Sequence, residues 1–403
     1  MNPHTRPILD GRFFLILLCV AAFLIYSSLP RVAYKPDADE GYYLNYATRV
    51  SKEGVGSFPG IFSDFVHNKA NWIFPSPLRV AYIALGGAWL RLFGPSYIAL
   101  SWLSLCCYCG ALAVSFCFGR KYYGGMTALL FSVLLAFSPL NMAMARRALV
   151  DGPANLCAIV SVWLLYDAAG ERGGMRRAMF VGVYAIAILM KEVLVLLAPV
   201  FAIYLAIGKC MKKQQLPLRD LLLMTVCPPF LALAVCVLAS GDAASVFKVI
   251  RIIISSPAVN RYANLYCSGG WIRYVVDFIL LSPWVCILAI GYFFSQMCMP
   301  QRREADRYFS VLGVCYFFFL IFFVKNVRYA MLLDMPLRLF AVLMIQRLAE
   351  TYAPRHAIVV CALCVASISL FDYILFYNIF VIHTLYDPVS IYLLWERQLI
   401  PAG

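Results

Sequence analysis

Three carboxylates fall within four residues in the string KPDADEGYYLNYA at 35–47: Asp37, Asp39 and Glu40. A carboxylate can cap a helix, pair with a cation or take a proton from an attacking hydroxyl. Asp37 and Glu40 have the spacing of a capping box, which accounts for one acid and leaves Asp39 over. A helix over 39–50 would put Asp39 on one face with Tyr42 or Tyr43 and with Tyr46, a carboxylate beside aromatic rings suited to a sugar. Glu40 lies about 100° round that helix, so it supports Asp39 or contacts a substrate and does not duplicate it. Asp39 is the expected general base.

A second polar cluster is MARRALVDGPANL, with Arg146, Arg147 and Asp151. Arg147 and Asp151 are four apart and predict an i,i+4 ion pair, while Pro153 suits the first turn of the next helix. Asp151 is the second acid with a possible catalytic part. Lys191-Glu192 marks a tight turn between two short apolar runs. Lys325, Arg328 and Tyr329 open a later one, with Asp334 and Arg338 a turn apart inside it. Any one of these cations is explained by snorkelling to the headgroups. Several of them on one face, opposite the acid pair, fit a clamp for a phosphate. Asp334 with Arg338 predicts a buried structural pair.

These residues must be held by helices in a bilayer. Hydrophobic residues make up 63% of the chain, charged residues 13%, and the mean hydropathy is +0.80, against about 25% charged in soluble domains. Apolar runs predict eleven spans, at 13–32, 97–118, 124–142, 153–168, 178–190, 193–208, 220–239, 273–295, 308–324, 330–347 and 357–376. The expected fold is an all-α polytopic bundle forming one domain over 1–403. With the N-terminus in the cytoplasm, the links GRKYYGG, DAAGERGGMRR, GKCMKKQQLPLRD, QRREADR and RLAETYAPRH lie inside, rich in Lys and Arg. The same map puts 33–96, 143–152, 240–272, the Lys325–Arg328 link and the tail 377–403 outside, and Asp39 with them. Segment 78–94 is apolar but short, follows Pro77 and carries Arg79 and Arg91 near its ends, so it is expected at the interface and not across it. The apolar N-terminal run lacks a small-residue cleavage site and is taken as a retained span.

The net charge of +14 follows the cytoplasmic links and does not predict nucleic-acid binding. The fifteen cysteines sit mostly in apolar runs as small hydrophobes, and no disulfide framework is expected. The His residues at 4, 67, 356 and 383 form no cluster of metal spacing. No metal site is therefore expected, and any divalent cation would be held loosely by Asp39, Asp151 and a substrate phosphate. There is no P-loop, dinucleotide fingerprint or nucleophile elbow. The external LYDPVS string at 385–390 carries no chemistry beyond a turn or lid.

The order DE pair, PSPLR, RRALVD, lone Lys191 and KNVRYAMLLDMP, over residues 10 to 345, resembles the C-type glycosyltransferase superfamily. Within it, the group of protein O-mannosyltransferases and lipid A aminoarabinose transferases is the most similar. The chain departs from that pattern in reading FPSPLR where consecutive prolines are commoner, and no soluble C-terminal domain is expected. The resemblance implies a helical core, a polyprenyl-phosphate-linked sugar donor, a glycan, lipid or protein acceptor, and inverting transfer on the external face of a bacterial inner membrane. Asp39 would then be base, with Glu40 and Asp151 beside it. Tyr42, Tyr43, Tyr46, Arg79, Arg146, Arg147, Lys191, Lys325, Arg328 and Tyr329 would contact substrate. A transporter or flippase of an amphipathic lipid is the other class consistent with intramembrane charge pairs, but it calls for charges near the midplane and for repeated, broken helices that the sequence lacks.

Overall fold

The computed structural model describes residues 6–30, 38–170, 174–210, 217–259, 267, 269–298, 303–322 and 325–385. Among them the regular elements are all helical. In chain order they are α1 (Arg6–Ser27), α2 (Asp39–Glu53), α3 (Phe58–His67), α4 (Val80–Phe93), α5 (Tyr97–Tyr123), α6 (Gly125–Ala136), α7 (Pro139–Ala145), α8 (Asp151–Gly170), α9 (Gly174–Met190), α10 (Leu197–Cys210), α11 (Leu218–Thr225), α12 (Cys227–Ser240), α13 (Ala243–Val259), α14 (Ile272–Leu281), α15 (Pro283–Met297), α16 (Glu304–Leu320), α17 (Met331–Tyr352) and α18 (Ala357–Phe376). Short 3-10 turns lead into α3, α10 and α17, and a π-helical turn, Tyr377–Ile382, prolongs α18.

Helix runs through the described part of each of the eleven expected spans, without confirming eleven crossings. By length and composition six helices of the described residues suffice to cross a membrane, or seven if α6 and α7 are counted as one bent span. The chain is an integral membrane protein. Two expected continuous spans are broken. At 124–142 the axis turns by 63° between α6 and α7, because Pro139 has no amide hydrogen and disfavours helical backbone at Ser138. At 273–295 Ser282 leaves the helical region (φ −154°, ψ 70°) just before Pro283, for the same reason. The 33–96 loop contains three helices, α2, α3 and α4, and α4 covers the expected 78–94 segment. The LYDPVS string beyond Leu385, and the tail with it, lies outside the described residues.

The chain divides into two compact units. The first combines Leu29–Cys107 with Arg146–Ser268, and the second Met1–Ser28, Tyr108–Ala145 and Gly269–Gly403. In the first, α2 packs along α4, α4 and α8 pack on α9, and α3 packs on α12 and α13. The close approach of α2 to α4 depends on a missing side chain, since a Cβ at Gly87 would lie 2.6 Å from Val50 Cγ1. Ala47, Leu90, Leu100 and Ala148 are buried together beneath this contact.

In the second unit α1, α17 and α18 pack on α6, and α15 packs on α17. Its polar centre is Arg338, which is 0% exposed. The expected pair with Asp334 is present: Arg338 Nε donates to both Asp334 oxygens at 2.9 Å. The guanidinium reaches further. It donates to the Leu134 carbonyl at 2.7 Å, to Asp372 at 2.8 Å and to Ser282 Oγ at 2.7 Å. Leu134 lies just before the α6–α7 bend and Ser282 is the α14–α15 break. One buried cation thus satisfies polar groups at both interruptions, and Asn141 in α7 donates to Asp334 at 2.7 Å. Buried charges persist only when paired in this way.

Candidate active site

The first unit brings the acid pair together with the 75–79 loop, the 146–151 loop and the α9–α10 junction. Helix α2 begins at Asp39 with Ala38 as N-cap and no side-chain capping bond, so the capping account of Glu40 does not hold. Asp37 lies outside the described residues. Two carboxylates in the first turn still suit the positive end of the helix dipole. From there the two acids part. Glu40 is 3% exposed and accepts from Arg147 Nε at 2.8 Å and from the Ala148 amide at 3.0 Å. Asp39 is only half-buried.

The expected i,i+4 pairing of Arg147 with Asp151 is replaced by longer-range partners. Residues 146–150 form a turn and bends, not a helix, so residues four apart do not share a face. Arg147 turns to Glu40, and Asp151 accepts from Lys191 Nζ at 2.6 Å. Arg146, Arg147, Asp151 and Lys191 are all 3–5% exposed. These cations are therefore buried in protein and are not snorkelling to headgroups. Arg79 at the N-cap of α4 grips Glu192 with a two-pronged fork at 2.8 and 2.7 Å. It also donates to the Tyr43 hydroxyl and lies 5.8 Å from the Tyr43 ring centre.

The tyrosines form one wall. Tyr43 packs edge-on against Tyr82 at 4.8 Å, Tyr42 stacks on Phe74 at 3.7 Å, and Tyr46 donates to the Pro75 carbonyl at 3.4 Å. Burial pushes the Tyr43 hydroxyl well above its ordinary value. The Arg79 guanidinium pulls the other way, and Asp39, Asp151 and Glu192 add to the rise. Tyr43 thus stays protonated, and its hydroxyl accepts from Arg79. Burial likewise raises Tyr46. Among the described residues no group of three His, Cys, Asp or Glu side chains is placed to hold a metal ion.

Lys325, Arg328 and Tyr329 belong to the second unit. Lys325 is buried and donates to the Ile321 carbonyl at 2.6 Å. Asn326 caps the following turn by accepting from the Arg328 amide at 3.0 Å, and the Tyr329 carbonyl accepts from Tyr316 at 2.9 Å. Sequence reasoning missed the parts of Glu192 and Tyr82. Glu192 adjoins Lys191 and was open to notice, whereas Tyr82 is one of many apolar-face aromatics and gave no signal.

Known proteins share parts of this sequence and fold. The family model described as dolichyl-phosphate-mannose-protein mannosyltransferase matches residues 76–237. Among solved structures the chain is similar to ArnT from Cupriavidus metallidurans in the apo state, with a TM-score of 0.56 and 16% identity over 86% of this chain and 62% of that one. It is similar to the same protein bound to undecaprenyl phosphate, with a TM-score of 0.54 and 17% identity over 85% and 61%. It is also similar to the Archaeoglobus fulgidus oligosaccharyltransferase complexed with zinc and sulfate, with a TM-score of 0.54 and 10% identity over 96% and 56%. This chain therefore spans roughly three-fifths of the length of those structures. Comparison with curated protein sequences gives no match. These likenesses show a shared all-helical membrane fold, as the residue pattern led one to expect.

Proposed function

We propose that the protein is a glycosyltransferase that moves a sugar from a polyprenyl-phosphate donor to an acceptor hydroxyl or amine, inverting the anomeric centre. The observation that carries this reading is the division of labour between adjacent acids. Glu40 is buried against Arg147, while Asp39, in the same helical turn as Tyr42 and Tyr43, is only half-buried. In the step, the acceptor's proton passes to Asp39 as its heteroatom bonds to the anomeric carbon. The bond from that carbon to the phosphate oxygen breaks, and its electron pair leaves with the polyprenyl phosphate. Glu40 and Asp151 act as positioning residues, fixing Arg147 and Lys191 and with them the local positive field. Arg79 and Arg146 add to that field. Lys325, Arg328 and Tyr329 are assigned to the donor phosphate, a natural partner for a planar guanidinium.

The mannosyltransferase description of the matching family and the undecaprenyl phosphate bound to one similar structure support a lipid-linked donor. The acceptor side is the external face of a bacterial inner membrane, on the charge bias of the links. The test is turnover by the purified protein in detergent across a panel of polyprenyl-phosphate sugars, with released polyprenyl phosphate as readout. Release from at least one donor is expected. No release from any, together with movement of the lipid between leaflets of a vesicle, would replace this reading with the transporter.

A further inference from the structure

The junction between α9 and α10 sends two adjacent side chains in opposite directions. Lys191 is extended, with φ −152° and ψ 114°, and in extended backbone successive side chains leave on opposite faces. Lys191 goes to Asp151 at the start of α8, and Glu192 goes to Arg79 at the N-cap of α4. Glu192 also opens a 3-10 turn, Glu192–Leu196. The Tyr184 hydroxyl of α9 donates to the Leu194 carbonyl at 3.0 Å and pins that turn, so the backbone carrying the Glu192 carboxylate is held in place.

Glu192 in turn sets a direction. Arg79 donates to its two oxygens, through Nε at 2.8 Å and Nη2 at 2.7 Å. A guanidinium is planar, so a two-pronged grip on one edge fixes where the remaining nitrogen, Nη1, points. It points at the Tyr43 hydroxyl. Arg79 can only donate, so Tyr43 accepts and its own hydrogen is turned away from Arg79. Among the described residues that hydrogen has no acceptor.

Tyr43 is 1% exposed, too enclosed to meet a sugar itself. Two acids of the first turn of α2 lie within its reach. Glu40 is already engaged by Arg147 and the Ala148 amide. Asp39 is half-buried and four residues before Tyr43 in a continuous helix, which puts the two on one face with about 5–6 Å between their Cβ atoms. Hydrogen bonds of a catalytic site commonly close only when substrate is bound.

We infer that Glu192 is a positioning residue for sugar transfer: by aiming Arg79 at Tyr43 it turns the Tyr43 hydrogen onto the Asp39 carboxylate of the substrate-bound protein. One Asp39 oxygen is then held by Tyr43 and the other is presented to the acceptor's proton. The order is Glu192, Arg79, Tyr43, Asp39, and only the last touches the acceptor. The relay rests on Asp39 as the base, the reading proposed above, and adds Glu192 to it.

The experiment is a set of kinetic cycles on the purified full chain, with a polyprenyl-phosphate sugar as donor and released polyprenyl phosphate as readout. Tyr43→Phe keeps the ring and removes the hydroxyl. It should lower kcat by about 10- to 100-fold, the effect of a misaligned group, with the donor KM within about twofold of the parent. Glu192→Gln should do the same. Glu192→Gln combined with Arg79→Met removes both charges and so guards against misfolding; it should match Tyr43→Phe. Adding Glu192→Gln to Tyr43→Phe should lower kcat no further, because the hydroxyl through which Glu192 acts is gone, whereas a merely structural Glu192 would matter equally in both backgrounds. Adding Tyr43→Phe to Asp39→Asn should also lower kcat no further.

Parental kcat in Tyr43→Phe, a multiplied loss in Tyr43→Phe with Glu192→Gln, or a further loss in Asp39→Asn with Tyr43→Phe would each overturn the relay, and the last would put the Tyr43 hydroxyl on the sugar. Slow Asp39→Asn with a normal Tyr43→Phe sinks the relay and leaves the base standing. Normal turnover by Asp39→Asn, or no transfer from any donor, removes the base and the relay with it.

Discussion

Glu40 accepts a 2.8 Å hydrogen bond from Arg147 Nε across 107 positions of sequence, and both side chains are 4% exposed. Deleting one partner of such a pair strands the other in protein, at a cost of about 3–5 kcal/mol, whereas removing both is far milder. Glu40→Ala should therefore lower the thermal midpoint of the purified protein sharply, and Glu40→Gln with Arg147→Met should recover much of the loss. A single Glu40→Ala variant as stable as the parent would show that the pair is not held as described.

Asp39 predicts the opposite pattern. Asp39→Asn keeps its size at a half-buried position and should leave the unfolding free energy within about 0.5 kcal/mol of the parent. Turnover should fall by about 10²–10⁴-fold with donor affinity retained. Single-turnover rates and lipid-phosphate binding on the same preparations separate the two effects. Normal turnover would remove Asp39 as the base.

Sidedness is open to chemical labelling. Ser63 in α3 and Gly174 at the start of α9 are exposed. On intact cells a membrane-impermeant maleimide, measured above the background of the parent protein, should label Ser63→Cys and not Gly174→Cys. Equal labelling contradicts the topology.

Gly87 fixes the spacing of α2 and α4. With a Cβ only 2.6 Å from Val50 Cγ1, Gly87→Ala should destabilise by about 1–3 kcal/mol through overpacking. Val50→Ala should relieve part of it, since the obstructing methyl is then gone. A denaturation series on the two single variants and the double variant measures this coupling.

Metal removal gives a further check. Asp151 is engaged by Lys191 and Glu40 by Arg147, so a cation would have to compete with buried ammonium and guanidinium groups. Chelator treatment is expected to reduce turnover by no more than about threefold, a change of roughly 0.65 kcal/mol. Complete loss restored by a divalent ion would require a different account of the phosphate site.

The helix positions were legible in the sequence because apolar runs and basic links report the bilayer directly. The shared face of Tyr43 and Tyr46 with the first turn of α2 was legible from helical spacing. The partners of the charges were not. Arg147 and Asp151 looked like a local pair, but that rule needs a helix, and 146–150 is not helical. Glu40 with Arg147 and Arg79 with Glu192 join residues more than a hundred positions apart, which only packing decides. Asp334 with Arg338 was legible because it does lie within one helix. Its link to Asp372 and Ser282 was not, since that depends on how α17 meets α18 and the break before Pro283.

Lys191 and Glu192 are neighbours of opposite sign, one bound to Asp151 and the other to Arg79. Sliding this stretch by one residue in one direction would set Lys191 against Arg79 and Met190 against Asp151, and in the other Glu192 against Asp151 and Val193 against Arg79, so either slip loses two attractions and gains one repulsion. The junction between α9 and α10 is therefore indexed by charge, like a key with two teeth of opposite polarity. Inserting or deleting a single residue there should be far less tolerable than changing either side chain.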